Sequence, residues 1–120
     1  MSKQFDLEER TAKFAESVLI FCKTLKQDAV TKPLISQLVR AATSIGANYM
    51  EANSASSKKD FNNKIHISKK ETQETKHWLR MFVVVIPDKK PELRILWQEA
   101  QELTLIFGKI LSTLRKKLNN

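Results

Sequence analysis

The sequence predicts an all-α fold, an up-down-up-down antiparallel four-helix bundle, on three observations. Only two glycines and three prolines occur among 120 residues, too few for the frequent turns of an all-β chain. Apolar residues recur at helical spacing along four segments, at about residues 6–26, 33–53, 57–86 and 91–118. The second segment, PLISQLVRAATSIGANYMEA from Pro33 to Ala52, has almost no side that wants water, since Arg40 and Glu51 are its only charges. One of its stripes reads Leu34, Leu38, Ala41, Ile45, Tyr49, Ala52; another reads Ile35, Val39, Ala42, Met50. An apolar arc that wide must be covered on more than one side. The small residues Ala41, Ala42, Ser44, Gly46 and Ala47 suit close approach of neighbouring helices, which accounts for a mid-helix glycine that costs roughly 1 kcal/mol against alanine.

In the first segment, Leu7, Phe14, Phe21 and Thr11, Val18, Leu25 form two interleaved heptad series, widened by Ala15 and Cys22. A short link, Gln27 to Lys32, leads to Pro33, whose missing amide is harmless in a helix's first turn. After Ala52 the stretch NSASSKK is small and polar, and Ser57 followed by Asp60 has the spacing of a capping box. The third helix then carries Phe61, Ile65, Ser68, Thr72, Thr75, Leu79 and Phe82 on one face, apolar with a polar middle. Its end, MFVVVI, has the β-branched run of a short strand, but no second strand is evident to pair with it, and helix is expected. Pro87 to Lys90 breaks the chain and Pro91 opens the fourth helix. Its stripe is Leu93, Leu96, Trp97, Ala100, Leu103, Phe107, Ile110, Leu114 and Leu118.

At this length one domain spanning residues 1–120 buries roughly two thirds of its unfolded surface without metal or disulfide staples. The lone Cys22 falls on an apolar face and suits a buried thiol in a reducing compartment. The start MSKQFDLEER lacks the apolar core of a signal peptide, and no stretch approaches the roughly 18 apolar residues of a membrane span. A cytoplasmic protein without membrane contact is expected.

Catalytic chemistry finds little support. Glu74-x-x-His77 resembles half of the paired motif that holds di-iron centres in bundles, but it occurs once, and His66 has Asn63 where a second copy would need an acid. There is no phosphate-cradling glycine loop and no zinc spacing, so no metal, cofactor or enzyme activity is expected. Ser44, Asn48, Glu51, Ser68, Glu71 and Thr75 lie on or beside the core stripes, where polar groups need partners. With Arg40 they are expected to form an interhelical network that fixes register; a ligand pocket is the alternative. Ile35, Val39, Met50, Val83, Val84 and Ile86 add apolar surface that one bundle cannot hide, which predicts a homo-oligomer.

The formal charge of +8 favours an anionic partner, and its distribution is uneven: residues 1–30 balance, residues 31–57 carry +1, 58–82 carry +4 and 83–120 carry +3. Lys58, Lys59, Lys64, Lys69, Lys70, Lys76 and Arg80 sit on the third helix, and Arg115, Lys116 and Lys117 end the fourth. These cations could contact phosphates of RNA or DNA; a solvated face is the plain alternative. Aromatic residues are not interleaved with the lysines, so stacking of single-strand bases is not expected.

The phrases ERTAKFA, LVRAATSIGANYMEA and SKKDFNNKIHISKKETQETKHWL together resemble the bacterial four-helix bundle family, also called the 23S ribosomal RNA intervening-sequence protein family, over roughly residues 9–115. In the second helix the family-like positions are Leu38, Arg40, Ala41, Ser44, Ile45, Asn48 and Glu51; Ala52 departs from the family's glycine and implies a helix that runs on slightly further. In the third helix they run from Ser57 through Lys58, Lys59, Asp60, Phe61, Lys64, Lys70, Glu71, Glu74 and Thr75 to Trp78 and Leu79. The resemblance implies a bundle that assembles as a ring of five subunits and carries a nucleic-acid-binding role, with no catalytic residues. More distantly related bundles serve reverse transcriptases as accessory proteins. The function expected is therefore non-enzymatic binding of structured nucleic acid, the alternative a structural adaptor that recruits a protein partner such as a reverse transcriptase.

Overall fold

A computed structural model describes residues 3–119, with side chains described for 7–117. Four helices follow one another: α1 (Lys3–Lys23), α2 (Thr31–Asn53), α3 (Lys58–Val85) and α4 (Lys90–Asn119), with a 3-10 turn at Pro87–Lys89 before the last. No strand occurs among the described residues, and the MFVVVI run is helical to Val85. Leu118 of the expected α4 stripe lies outside the described side chains.

Residue pairs across each seam count in opposite directions, so successive helices are antiparallel. Between α1 and α2, Glu8 meets Asn53 and Thr11 meets Gly46. Between α2 and α3, Arg40 meets Glu71, Ile45 meets Ser68 and Glu51 meets Lys64. Between α3 and α4, Lys69 meets Gly108, Thr72 meets Thr104 and Lys76 meets Gln101. Ring contacts cross the diagonals, Phe21 on Phe82 at 6.5 Å and Tyr49 on Phe107 at 5.8 Å. The bundle is elongated, 51 × 27 × 21 Å.

The helix ends have local causes. α1 stops at Lys23, three residues sooner than its stripe suggests, where Thr24 and Leu25 fold back on the carbonyls of Phe21 and Cys22. Asp28 then accepts the amides of Val30 and Thr31 on Oδ1, while the Thr31 hydroxyl donates to the Lys26 carbonyl. This side-chain turn starts α2 two residues ahead of Pro33, which still falls in the first turn. Those two amides hold the Asp28 carboxyl below its usual range. Ser57 caps α3 by accepting the Asp60 amide at 3.1 Å, and α2 runs one residue past Ala52 to Asn53.

The core follows the sequence stripes, including their hydroxyls. Thr11, Ser68, Thr72, Thr75 and Thr104 are buried, and each finds a partner: most donate to a carbonyl three or four residues back in the same helix. Ser68 instead donates to the Ile45 carbonyl of α2 at 3.0 Å, and the Thr104 and Thr72 hydroxyl oxygens lie 2.8 Å apart, within hydrogen-bond reach across α3 and α4. Back-bonding lets threonine occupy a core position without an orphaned donor.

The expected register network is corrected at several members. Glu51 is exposed and pairs with Lys64 at 3.6 Å, because its position lies well round α2 from the Ile45 and Tyr49 face. Ser44 and Asn48 donate to carbonyls of their own helix, at Arg40 and Ser44, and Thr75 donates to that of Glu71. The interhelical ion cluster is instead Arg40 of α2 against Glu71 and Glu74 of α3. Burial raises the Glu71 carboxyl above its usual range, with Arg40 opposing. Of the six expected interface residues, Ile35, Val39, Val83 and Ile86 pack partly against the bundle's own core. Met50 and Val84 remain open to solvent.

Candidate nucleic-acid interface

The cations of α3 do not form one face. Lys58, Lys69, Lys76 and Arg80 are spaced by eleven, seven and four residues, so they stack along one side of the helix. That side adjoins α4: Lys76 donates to Gln101, and Lys69 lies against Gly108. Lys59 and Lys70 face outward and exposed, while Lys64 turns to α2 and Glu51. On α4 the facing edge is Lys90, Arg94, Trp97, Gln101 and Gly108, and Arg115 follows at the same spacing. Lys116 and Lys117 step off round the helix, exposed.

The α3–α4 seam therefore collects Lys58, Lys69, Lys76, Arg80, Lys90, Arg94 and Arg115 along about 33 Å, taking 1.5 Å per residue from Lys58 to Arg80. Apart from Asp60 in the first turn of α3, the carboxylates of the same two helices are engaged elsewhere. Glu71 and Glu74 take Arg40, Glu99 and Glu102 take Arg10 of α1, and Glu92 takes Lys89. Among the described residues no seam cation has an ion pair. The Arg10 guanidinium forks onto Glu99 at 2.7 and 2.8 Å, and that bond raises its pKa further. Lys90 and Arg94 escaped the sequence reading because they flank a proline break rather than a lysine run, and only the fold brings them to Arg80.

Trp97 stands on the seam, 37% exposed, with the Lys76 ammonium 5.1 Å from its ring centre. At the end of the seam Leu79, Val83, Leu93 and Trp97 floor a hollow of about 200 Å³, with Arg80, Lys90 and Arg94 around it. Aromatic and cationic residues thus meet across two helices although they are not interleaved in either, which revises the expectation drawn from the sequence order.

The Glu-x-x-His pattern is not completed among the described residues. Glu74 of the Glu-x-x-His pattern is taken by Arg40 and by Trp78 Nε1, and His77 is exposed beside the Trp78 ring at 4.9 Å. Among the described residues no three His, Cys, Asp or Glu side chains gather as a metal site would require. Cys22 is buried, and burial pushes its thiol up to about 11. No helix among the described residues is long and apolar enough to cross a membrane.

The family model described as 23S rRNA-intervening sequence protein matches residues 3–108, which takes in α1, α2, α3 and most of α4. The chain belongs to this family. A crystal structure from Bacteroides thetaiotaomicron VPI-5482, described as a protein of unknown function from the S23 ribosomal protein family, is similar at a TM-score of 0.83 and 27% identity. The match covers 92% of this chain and 99% of that one. No curated protein matches. Neither description of the intervening-sequence family and its S23 relative names an activity.

Proposed function

We propose that this protein is a non-enzymatic, cytoplasmic nucleic-acid-binding bundle, and that the α3–α4 seam is its contact surface. The observation that carries the reading is the sorting of charge: seven cations on one seam, none of them ion-paired among the described residues. A merely solvated face would be expected to mix signs. The seam's length matches about one turn of duplex, roughly 34 Å, so its ends can reach phosphates a full turn apart. Six phosphate contacts would give a slope of about −5 in log affinity against log salt on duplex, a loss of about a thousandfold between 50 and 200 mM. Fluorescence anisotropy of a labelled DNA duplex measures it. Arg80→Glu with Arg94→Glu should flatten the slope, whereas Lys59→Glu should do less; no binding at 50 mM salt sinks the proposal.

A second feature supports self-association. Between α1 and α4 a groove of about 440 Å³ has Phe14, Ile95 and Leu96 as its apolar wall and the Arg10–Glu99 bridge across it. Ile95 is 71% exposed, and Ile20, one turn beyond Ser17 of the same groove, is 66% exposed. Apolar side chains gathered around an open groove are what a subunit contact needs, and five copies is the number that the family resemblance implies. Light scattering tests it: a mass near 13.8 kDa at micromolar concentration overturns self-association, and Ile95→Glu should lower the mass of an assembly.

A further inference from the structure

We propose that the hollow at the α3–α4 end holds one unpaired nucleotide of a single strand, its base against Trp97 and its phosphate among Arg80, Lys90 and Arg94. The inference rests on the nucleic-acid reading above and narrows it from a phosphate-tracking surface to a site that distinguishes single strands from duplex.

A surface that only tracks phosphates has no use for an apolar floor. Here the floor is continuous, formed by Leu79 and Val83 of α3 and Leu93 and Trp97 of α4. Its rim carries three positive side chains, none ion-paired among the described residues. An apolar floor with a cationic rim matches a ligand that is flat and apolar on one part and anionic on another. A nucleotide is such a ligand, because every base has a π-face that stacks on an aromatic side chain while its phosphate seeks cations. Guanidinium groups suit that phosphate better than an ammonium alone, since each presents a fork of donors. The hollow's 200 Å³ suits one ring system rather than a length of peptide.

Continuity along the seam adds a second argument. From the hollow the strand can pass Lys76 and Lys69 toward Arg115, so the same chain of phosphates that anchors the nucleotide is neutralised over the rest of the surface. In a duplex the bases are already stacked on one another, and entry into the hollow would require unpairing. Duplex can use the cations but not the floor.

Trp78 and Trp97 are the two tryptophans, so Trp78→Phe leaves Trp97 as a lone fluorescent reporter inside the site. The titrants are a 12-nucleotide RNA and its duplex at 50 mM salt, with anisotropy of an end label read alongside. The single strand should quench Trp97 and bind about ten-fold tighter than duplex, the size expected for one stacked base. Trp97→Ala in the otherwise natural chain should remove most of that ten-fold difference by weakening the single strand. Trp97→Phe, which keeps a ring and the packing, should restore most of it. Equal binding of both forms with Trp97 fluorescence unchanged overturns this site and leaves the basic-seam reading standing; no binding of either form overturns both. Quenching by an acidic peptide but by neither RNA also overturns it, in favour of a protein ligand.

Discussion

Gly46→Ala should destabilise the bundle although alanine is the better helix former. Gly46 has an ordinary helical backbone, with no positive φ to favour glycine, so the substitution on its own would be worth about 1 kcal/mol of stability. Space decides otherwise. An added Cβ would lie 2.9 Å from Thr11 Oγ1 and 3.2 Å from Thr11 Cβ. Thr11 cannot swing away, because it is 1% exposed and its hydroxyl is held by the Leu7 and Glu8 carbonyls. The α1–α2 crossing would have to widen, and overpacking of that kind costs about 1–3 kcal/mol. The net expectation is a loss of about 1 kcal/mol, or roughly 4 °C in Tm for a chain of this size. Gly108→Ala is the internal control: its nearest neighbours are the flexible end of Lys69 at 3.9 Å, so it should stabilise by about the full propensity gain of 1 kcal/mol. Urea unfolding followed by circular dichroism at one fixed protomer concentration reads both, and the concentration matters if subunits associate. Thr11→Ala combined with Gly46→Ala should cost less than the sum of the single changes, by about 1 kcal/mol. Gly46→Ala as stabilising as Gly108→Ala would refute the close-contact reasoning.

Glu51→Ala should change unfolding free energy by no more than about 1 kcal/mol, since its pairing with Lys64 is exposed; a midpoint shift several times larger in urea would show a buried role. Ser68→Ala should cost about 1 kcal/mol through loss of the bond to the Ile45 carbonyl, and a neutral result would mean that carbonyl finds another donor. Cys22 should react with a thiol reagent at pH 8 about a hundredfold more slowly than a free cysteine, because raising the pKa from 9.0 to about 11 cuts the thiolate fraction by that factor. The sign is that of an acid kept neutral by burial, so reactivity climbs as pH approaches 11 and in urea; fast modification of the folded protein at pH 8 contradicts the burial.

What the sequence revealed was decided by whether each property belongs to one helix or to two. Leu38, Ile45, Tyr49, Leu79 and Phe82 are buried as their spacing predicts, because the inward face of a helix is fixed by its own period. Thr72 and Thr75 are legible too, once back-bonding is allowed for. Partners are a different matter: nothing within α2 says that Arg40 meets Glu71 and Glu74 across the seam. Glu51 misled because a single acid in a neutral helix reads as internal, when it lies off the core face. The seam cations Lys90 and Arg94, and the nearness of Trp97 to Lys76, arise only when antiparallel packing aligns α3 with α4.

Sorting its charges makes the bundle a dipole as well as a cation. Carboxylates Glu99 and Glu102 lean toward α1, and the unpaired cations lie on the far edge of α4. In the field of a polyanion such a particle feels a torque before it feels a contact, and turns its seam forward during the last Debye length of approach, about 8 Å at physiological salt. For a seam that binds nucleic acid as proposed, encounter would be productive from many starting orientations, and salt should slow arrival more than it hastens departure. On any negatively charged support the same torque would lay the molecule down with α1 outward, leaving the apolar groove between α1 and α4 turned to the solvent.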